Sequence, residues 1–129
     1  MPTPPPLETL AAHGRPVGEG GLLVERGGLV IYVDPRGLPA GAPQADLVLL
    51  SDVDPRAVSE RDVLAVSGPA TIVAGLPPSV SRFRLNQLPI LQGQSREALG
   101  VTLSILDDDG ARARWRLRWP DLEAAHPAP

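Results

Sequence analysis

The stretch Asp46-Leu-Val-Leu-Leu-Ser-Asp-Val-Asp-Pro-Arg56 decides how the rest of the chain is interpreted. Four consecutive aliphatic residues, 47–50, are typical of a strand that is covered on both faces in a layered α/β domain. The strand leads straight into an acidic loop at residues 51–54. Open α/β sheets usually keep their functional groups just past the carboxyl ends of their strands. We therefore expect any chemistry of this protein to lie in that loop.

The composition indicates one turn-rich domain with an aliphatic core. A chain of 129 residues is long enough to bury a core, and 16 prolines with 13 glycines favour short elements joined by turns. Cysteine is absent, which excludes disulfides, a thiolate nucleophile and a zinc–thiolate site. All 12 basic residues are arginine, and the net charge of −3 argues against broad nucleic-acid binding.

The expected location is the bacterial cytoplasm. No apolar run approaches the roughly 20 residues of a membrane span. Prolines stand near the N-terminus where a signal peptide would have its apolar stretch. The bias toward Arg, Ala, Pro and Gly is typical of a GC-rich genome. We therefore expect no membrane partner.

Short alternating segments predict the order of the elements. Residues 22–26 and 29–33 predict a β-hairpin, because Gly27-Gly28 supplies the positive φ angles of a two-residue turn. Ser59-Glu-Arg-Asp62 has the form of a capping box that opens a short helix, and Gly68-Pro69 ends it. Further strands are predicted at 7–12, 47–50, 71–74, 88–91, 101–106 and 111–119, a helical turn at 77–83, an irregular connection at 92–100 and a turn at 107–110.

This order predicts an α/β fold that borders on α+β. We expect a mixed, largely antiparallel β-sheet with one or two short helices on one face. The domain should span residues 7–119. A disordered proline-rich lead-in, 1–6, should precede it, and a flexible tail, 120–129, should follow it.

Several short motifs carry a resemblance to a known fold. They are Gly18-Glu-Gly-Gly-Leu-Leu-Val-Glu-Arg-Gly-Gly28, then Ile31-Tyr-Val-Asp-Pro35, then the run from Ala45 through Ser51. In order and spacing they resemble the opening hairpin, the Asp-Pro strand end and the central strand of the metallo-β-lactamase fold. The resemblance covers residues 18–106 and is strongest to lactonase-like metal-dependent hydrolases. It implies one half of that fold's αβ/βα sandwich.

The resemblance fails at the metal motif. The family has His-x-His-x-Asp-His directly after the central strand, and those ligands bind two metal ions. The matching positions are Asp52, Asp54, Arg56 and Ala57, and an earlier family histidine falls on Glu19. Alanine ligates nothing, and arginine places a fixed positive charge where a dication would sit. The two histidines, at positions 13 and 126, match no ligand position. We therefore expect no metal cofactor and no catalytic residue.

Two interpretations of the remaining acidic residues stay open. Glu19, Asp52 and Asp54 could meet at one sheet edge and bind a hard cation such as Mg²⁺ or Ca²⁺ through oxygen. Alternatively, Asp-x-Asp-Pro is ordinary turn chemistry in contact with solvent. We favour the turn interpretation.

An arginine stripe is the other candidate site. Arg112, Arg114, Arg116 and Arg118 alternate with apolar residues, so a strand would place the four guanidinium groups on one face. The stripe could bind an anion or an acidic protein partner. The interpretation that we favour is a solvated face on which acidic side chains of neighbouring strands pair with the arginines.

The preferred hypothesis is a non-catalytic, truncated relative of the metallo-β-lactamase fold that acts as a binding or assembly module. An apolar sheet face left open by the missing half would be covered by a second copy, with Trp115, Leu117 and Trp119 as dimer contacts. One alternative is a metal-dependent hydrolase whose Glu19–Asp52–Asp54 site is completed by a second chain. The other is a regulatory module that docks an acidic partner through the arginine stripe.

Overall fold

The described residues form two β-sheets that pack face to face. The computed structural model describes residues 7–52, 54, 58–84, 86–108 and 112–126. The first sheet contains β2 (Arg15–Val17), β3 (Gly21–Arg26), β4 (Leu29–Val33), β5 (Ala45–Leu50), β6 (Ser67–Gly75) and β7 (Asn86–Pro89). The second contains β1 (Glu8–Thr9), β8 (Ser95–Ala98), β9 (Val101–Asp108), β10 (Ala113–Trp119) and β11 (Leu122–Ala125). Helix α1 (Glu60–Val66) joins β5 to β6, and α2 (Pro77–Val80) joins β6 to β7.

Both sheets are mixed. The first has the order β2-β3-β4-β5-β6-β7, antiparallel from β2 to β4 and parallel from β4 to β7. The second has the order β1-β11-β10-β9-β8 and is antiparallel except for the parallel pair β1–β11. Strands 22–26 and 29–33 form the predicted hairpin, and Gly27 and Gly28 have the positive φ angles, 59° and 83°, that its turn requires. The predicted fold class is confirmed.

The central strand is covered on both faces, as its unbroken aliphatic run predicts. Leu47 and Leu49 point into the core between the two sheets. Val48 and Leu50 point the other way and pack in a second cluster with residues of both helices. Side chains alternate along a strand, so one four-residue run serves two apolar layers. The molecule therefore has three layers: helices, first sheet and second sheet.

The apolar face that led to the homodimer prediction is covered by the same chain. Trp115 and Leu117 are fully buried, and Trp119 is 8% exposed, all within the core that joins the two sheets. The predicted dimer contacts are therefore core residues, because the second sheet supplies the layer that a partner was expected to supply. The structure does not test the homodimer itself, but it removes the physical argument on which that prediction rested.

The remaining differences from the expected elements lie at the edges of the two sheets. In the first sheet, β2 was not predicted, and β7 begins and ends two residues before the strand expected at 88–91. Residues 122–125, predicted as part of a flexible tail, form β11, with Leu122, Ala124 and Ala125 buried. The strand expected at 7–12 is only Glu8–Thr9, followed by a 3₁₀ turn at Leu10–His13. The connection at 92–100 contains β8. The predicted lead-in, 1–6, lies outside the described residues, and neither helix has the length and apolarity that crossing a membrane requires.

Candidate functional site

The candidate site lies where the two sheets meet at one end of the sandwich. There the carboxyl ends of β4 and β5 approach the beginning of β10 and the end of β11. The backbone N–H of Ala113 donates to the Ser51 carbonyl at 2.6 Å, and Asp52 forms an antiparallel bridge with Arg112. This is the strand-end position at which the sequence predicts any chemistry to lie.

Asp34 is the central side chain of this end. It is a non-glycine residue with a φ of +50°, which a short polar side chain tolerates better than most. Its Oδ1 accepts a hydrogen bond from the Ser51 backbone N–H at 2.7 Å, while its own N–H donates to the Leu49 carbonyl at 2.9 Å. Asp34 therefore holds the beginning of the acidic loop against the end of β4.

Burial raises the pKa of the Asp34 carboxyl above its ordinary value. Hydrogen bonding from Ser51 acts against that rise, as do the positive charges of His126 and Arg112. Desolvation disfavours the ionised form, whereas donors and cations favour it. The direction of the shift shows that desolvation outweighs the other influences.

His126 approaches the same end from the last strand. Its backbone N–H donates to the Trp115 carbonyl at 3.0 Å, and its ring Nδ1 accepts from the Trp115 backbone N–H at 3.2 Å. The Arg114 Nε donates to the His126 carbonyl at 3.0 Å. Because Nδ1 accepts, the neutral ring carries its proton on Nε2. Burial lowers the pKa of His126, Asp34 acts to raise it, and Arg112 and Arg114 lower it further.

Asp52 and Asp54, at the first two positions of the family's metal motif, form a turn. The Asp54 backbone N–H donates to Asp52 Oδ1 at 2.8 Å, which is ordinary Asx-turn geometry. Asp52 Oδ2 lies 3.8 Å from the Arg112 Nε, and the Asp52 carbonyl accepts from the Ser79 hydroxyl at 3.2 Å. Both Asp52 oxygens thus face groups of this chain.

Glu19 lies in the connection between β2 and β3. Its backbone N–H donates to the Arg36 carbonyl at 2.7 Å, and its exposed side chain packs against Gly37. Among the residues that the structure describes, Glu19, Asp52 and Asp54 included, no group of three or more His, Cys, Asp or Glu side chains could hold a metal ion. The donor set of the described residues therefore does not fit a two-metal centre. Arg56 and Ala57 lie outside the described residues.

Most of the arginine stripe is paired with acidic side chains. Arg114 contacts Asp107 at 2.7 Å, and Arg116 contacts Glu123 through both its Nε and its Nη2. Arg112 has Asp52 beside it. Arg118 is exposed and has no such partner in the described part of the chain. This pairing is what the solvated-face interpretation predicts for three of the four arginines.

Sequence reasoning missed Asp34 and His126 as members of this end. The Asp34-Pro35 motif directly follows the strand that pairs with the central strand. Asp34 could therefore have been predicted to lie at the same sheet edge as the acidic loop. His126 was not predictable, since it reaches the site through a strand that the sequence did not indicate.

Comparisons of the three-dimensional structure find similar solved proteins at low sequence identity. A Parabacteroides distasonis protein, provisionally named a metal-dependent hydrolase, has a TM-score of 0.72 and 14% identity over 84% of this chain and 56% of its own. The metallo-β-lactamase fold protein YhfI of Bacillus subtilis has a TM-score of 0.61 and 15% identity over 86% of this chain and 56% of its own.

A further similar structure is zinc-bound PqqB of Methylobacterium extorquens, with a TM-score of 0.61 and 14% identity over 88% of this chain and 50% of its own. No protein-family model matches the sequence, and neither does any curated protein.

The two packed sheets, with helices outside one of them, and a polar site at the strand ends define a metallo-β-lactamase-type sandwich. The chain has this fold in half-length form, since it spans about half the length of the solved structures that it matches.

Proposed function

We propose that the chain is a non-catalytic binding module built on half of a metallo-β-lactamase fold. The observation that supports this most directly is that both carboxylate oxygens of Asp52 face groups of this chain. Oδ1 accepts a hydrogen bond from the Asp54 backbone N–H, and Oδ2 lies beside the Arg112 guanidinium. A carboxylate that accepts an internal hydrogen bond beside a guanidinium is a poor ligand for a dication, because the arginine repels the ion.

The buried polar groups beside Asp52 have a structural use that supports the same proposal. Asp34 holds the Ser51 N–H, and His126 holds the Trp115 N–H, so both side chains join strands of this chain. Perturbed pKa values at a strand end are common in active sites, but structural networks perturb pKa values as well. Here each perturbed group has a backbone partner that accounts for its position.

The test combines metal titration with hydrolysis assays. Calorimetry with Zn²⁺, Mn²⁺, Mg²⁺ and Ca²⁺ should give no binding tighter than about millimolar, the weak range for isolated carboxylates. Hydrolysis of lactone, β-lactam and phosphodiester substrates in the presence of each ion should be the same for the wild type and for Asp52→Asn. Asp107→Asn, a change of an exposed carboxylate, is the matched control. Turnover that Asp52→Asn abolishes and Asp107→Asn preserves would establish the hydrolase alternative instead.

A further inference from the structure

The outer face of the second sheet contains a shallow depression that is built differently from the rest of the arginine stripe. It is lined by two guanidinium groups, three hydroxyl groups and one carboxylate, from Ser95, Thr102, Ser104, Arg116, Arg118 and Glu123. We propose that this depression binds a tetrahedral oxyanion, either free phosphate or the phosphate group of a small molecule. This proposal rests on the proposed binding function, because it names the class of ligand that the module would bind.

Arg118 is the group that recognises the anion. In the sheet register it lies between Thr102 of β9 and Glu123 of β11, and its side chain points outward because Leu117 and Trp119 point into the core. Among the described residues no carboxylate pairs with it, whereas each of the other three arginines of the stripe has one nearby. Its planar set of N–H donors is therefore available, and guanidinium groups suit the geometry of oxyanions.

The hydroxyl groups beside Arg118 supply further donors. Ser95 and Ser104 face each other across β8 and β9 with their Oγ atoms 2.8 Å apart. Each hydroxyl has one proton, and their mutual hydrogen bond uses only one of the two. The other proton, and that of Thr102 on the same strand face, remain able to donate to a ligand.

Arg116 is oriented by Glu123 and keeps spare donors. Its Nε and Nη2 both contact Glu123 Oε1, which leaves its Nη1 without a carboxylate contact in the described residues. The two guanidinium groups and one carboxylate give the lining a net charge of +1. That balance favours a small anion with several acceptor oxygens, because phosphate can accept from more of these donors than a single carboxylate can.

The surroundings disfavour a large acidic partner. Arg112 and Arg114 continue the stripe but stand beside Asp52 and Asp107, so the face carries no extended positive field. On the other side, Glu97 lines the adjoining depression around Arg118. An acidic protein segment that covered both areas would meet these carboxylates.

The test is a nuclear magnetic resonance titration of the intact chain with inorganic phosphate, at constant pH and with chloride holding the ionic strength constant. We expect saturable shifts of the backbone amides of Thr102, Ser104 and Arg118. Arg118→Gln should weaken binding about tenfold, the effect of losing a charge-assisted hydrogen bond, and Ser104→Ala should weaken it less. Arg84→Gln, which removes another exposed guanidinium, should leave the affinity unchanged.

A second titration with adenosine 5′-monophosphate separates the two ligand sources. Tighter binding than phosphate, with the same dependence on Arg118, indicates the phosphate group of a small molecule, and equal or weaker binding indicates free phosphate. Shifts that do not saturate, or that survive Arg118→Gln in a chain with unchanged folded spectra, would overturn the site. So would a glutamate-rich peptide that binds more tightly than either ligand. None of these results depends on metal binding or hydrolysis, so failure of this site and failure of the non-catalytic proposal are distinguishable.

Discussion

At the scale of single residues, Asp34 shows how a buried carboxyl is kept for its geometry and not for its charge. Its oxygen satisfies the Ser51 N–H, while burial raises its pKa. The ionised form is therefore a cost to the folded state that the hydrogen bond offsets. The effect of the negative charge on stability can therefore be measured separately from the effect of the hydrogen-bond acceptor.

Asp34→Asn keeps an acceptor oxygen and a residue type that tolerates a φ of +50°. Because the folded pKa is raised, Asp34 contributes most to stability when protonated, and that contribution falls as pH rises through its ordinary 3.8 toward the raised value. At pH 7 the Asn variant should thus unfold at the same or a higher urea concentration than the wild type. Asp34→Ala should lose about 1–3 kcal/mol, the cost of an unsatisfied buried N–H. Equal losses for Asn and Ala would contradict this account.

The lowered pKa of His126 predicts that the protein loses stability at mildly acidic pH. Its pKa is lowered from 6.5, so its contribution is fully present above that pH and is lost as pH falls through 6.5 toward the lowered value. Protonation also removes the Nδ1 lone pair that accepts from the Trp115 N–H. His126→Asn, which offers an oxygen acceptor without titrating there, should flatten the pH dependence of urea unfolding between 7 and 5, monitored by tryptophan fluorescence. His13→Asn is the control and should leave the slope in place.

At the scale of elements, α1 and the loop before β5 form one unit through Asp62. The Asp62 carboxylate accepts from the backbone N–H groups of Gly37 and Leu38 at 2.9 and 3.0 Å, and from the Ser59 hydroxyl. The hydrogen bond from Ser59 holds the pKa of Asp62 below its usual value, helped by those two backbone donors and by Arg61. The capping box of the sequence is thus also a link between helix and loop.

Asp62→Ala should release that loop as well as weaken the helix. We expect faster hydrogen exchange at Gly37 and Leu38 and a loss of about 1–2 kcal/mol in the free energy of unfolding, the usual cost of a lost cap with its hydrogen bonds. Glu60→Ala, a change in the same helical turn, is the control. If exchange at the two loop amides were unchanged in Asp62→Ala, the link would be absent in solution.

The last strand should contribute to the stability of the fold through Leu122. Leu122 is 4% exposed and packs in the core between the sheets, whereas Leu64 of α1 is 50% exposed. Leu122→Ala should therefore cost about 2–4 kcal/mol in urea unfolding, and Leu64→Ala should cost much less. A negligible effect of Leu122→Ala would mean that β11 is not docked in solution.

At the scale of the whole molecule, the covered core changes the expected assembly. The large exposed hydrophobic residues of the described chain are Leu7, Leu64, Leu91 and Leu99, each about half exposed. Leu64 lies in α1, and the other three lie outside the helices and strands. Scattered residues of this kind do not form an interface patch. Analytical ultracentrifugation at micromolar concentration should therefore give the monomer mass of 13.6 kDa. A dimer mass would restore the homodimer prediction and require an interface other than Trp115, Leu117 and Trp119.

The sequence predicts the central strands of both sheets well and the edge strands poorly, for physical reasons. Residues 22–33 and 47–50 carry local signals, a Gly-Gly turn and an unbroken aliphatic run, which fix their strands without reference to the rest of the chain. Ser95–Ala98 and Leu122–Ala125 are short segments with weak strand propensity, and they become strands through pairing with β9 and β10. The acidic loop was predictable as a turn, whereas the approach of His126 to Asp34 depends on that second sheet.

The parallel pairing of β1 with β11 determines when the second sheet can finish folding during synthesis. Glu8 pairs with Ala124, so one edge of the second sheet cannot form until residues more than a hundred positions further along the chain have been synthesised. During synthesis β1 emerges early and has no strand to pair with until residue 125 has left the ribosome. Contacts between residues that are far apart in sequence slow folding. The sandwich should consequently become resistant to proteases only after translation has passed its final strand.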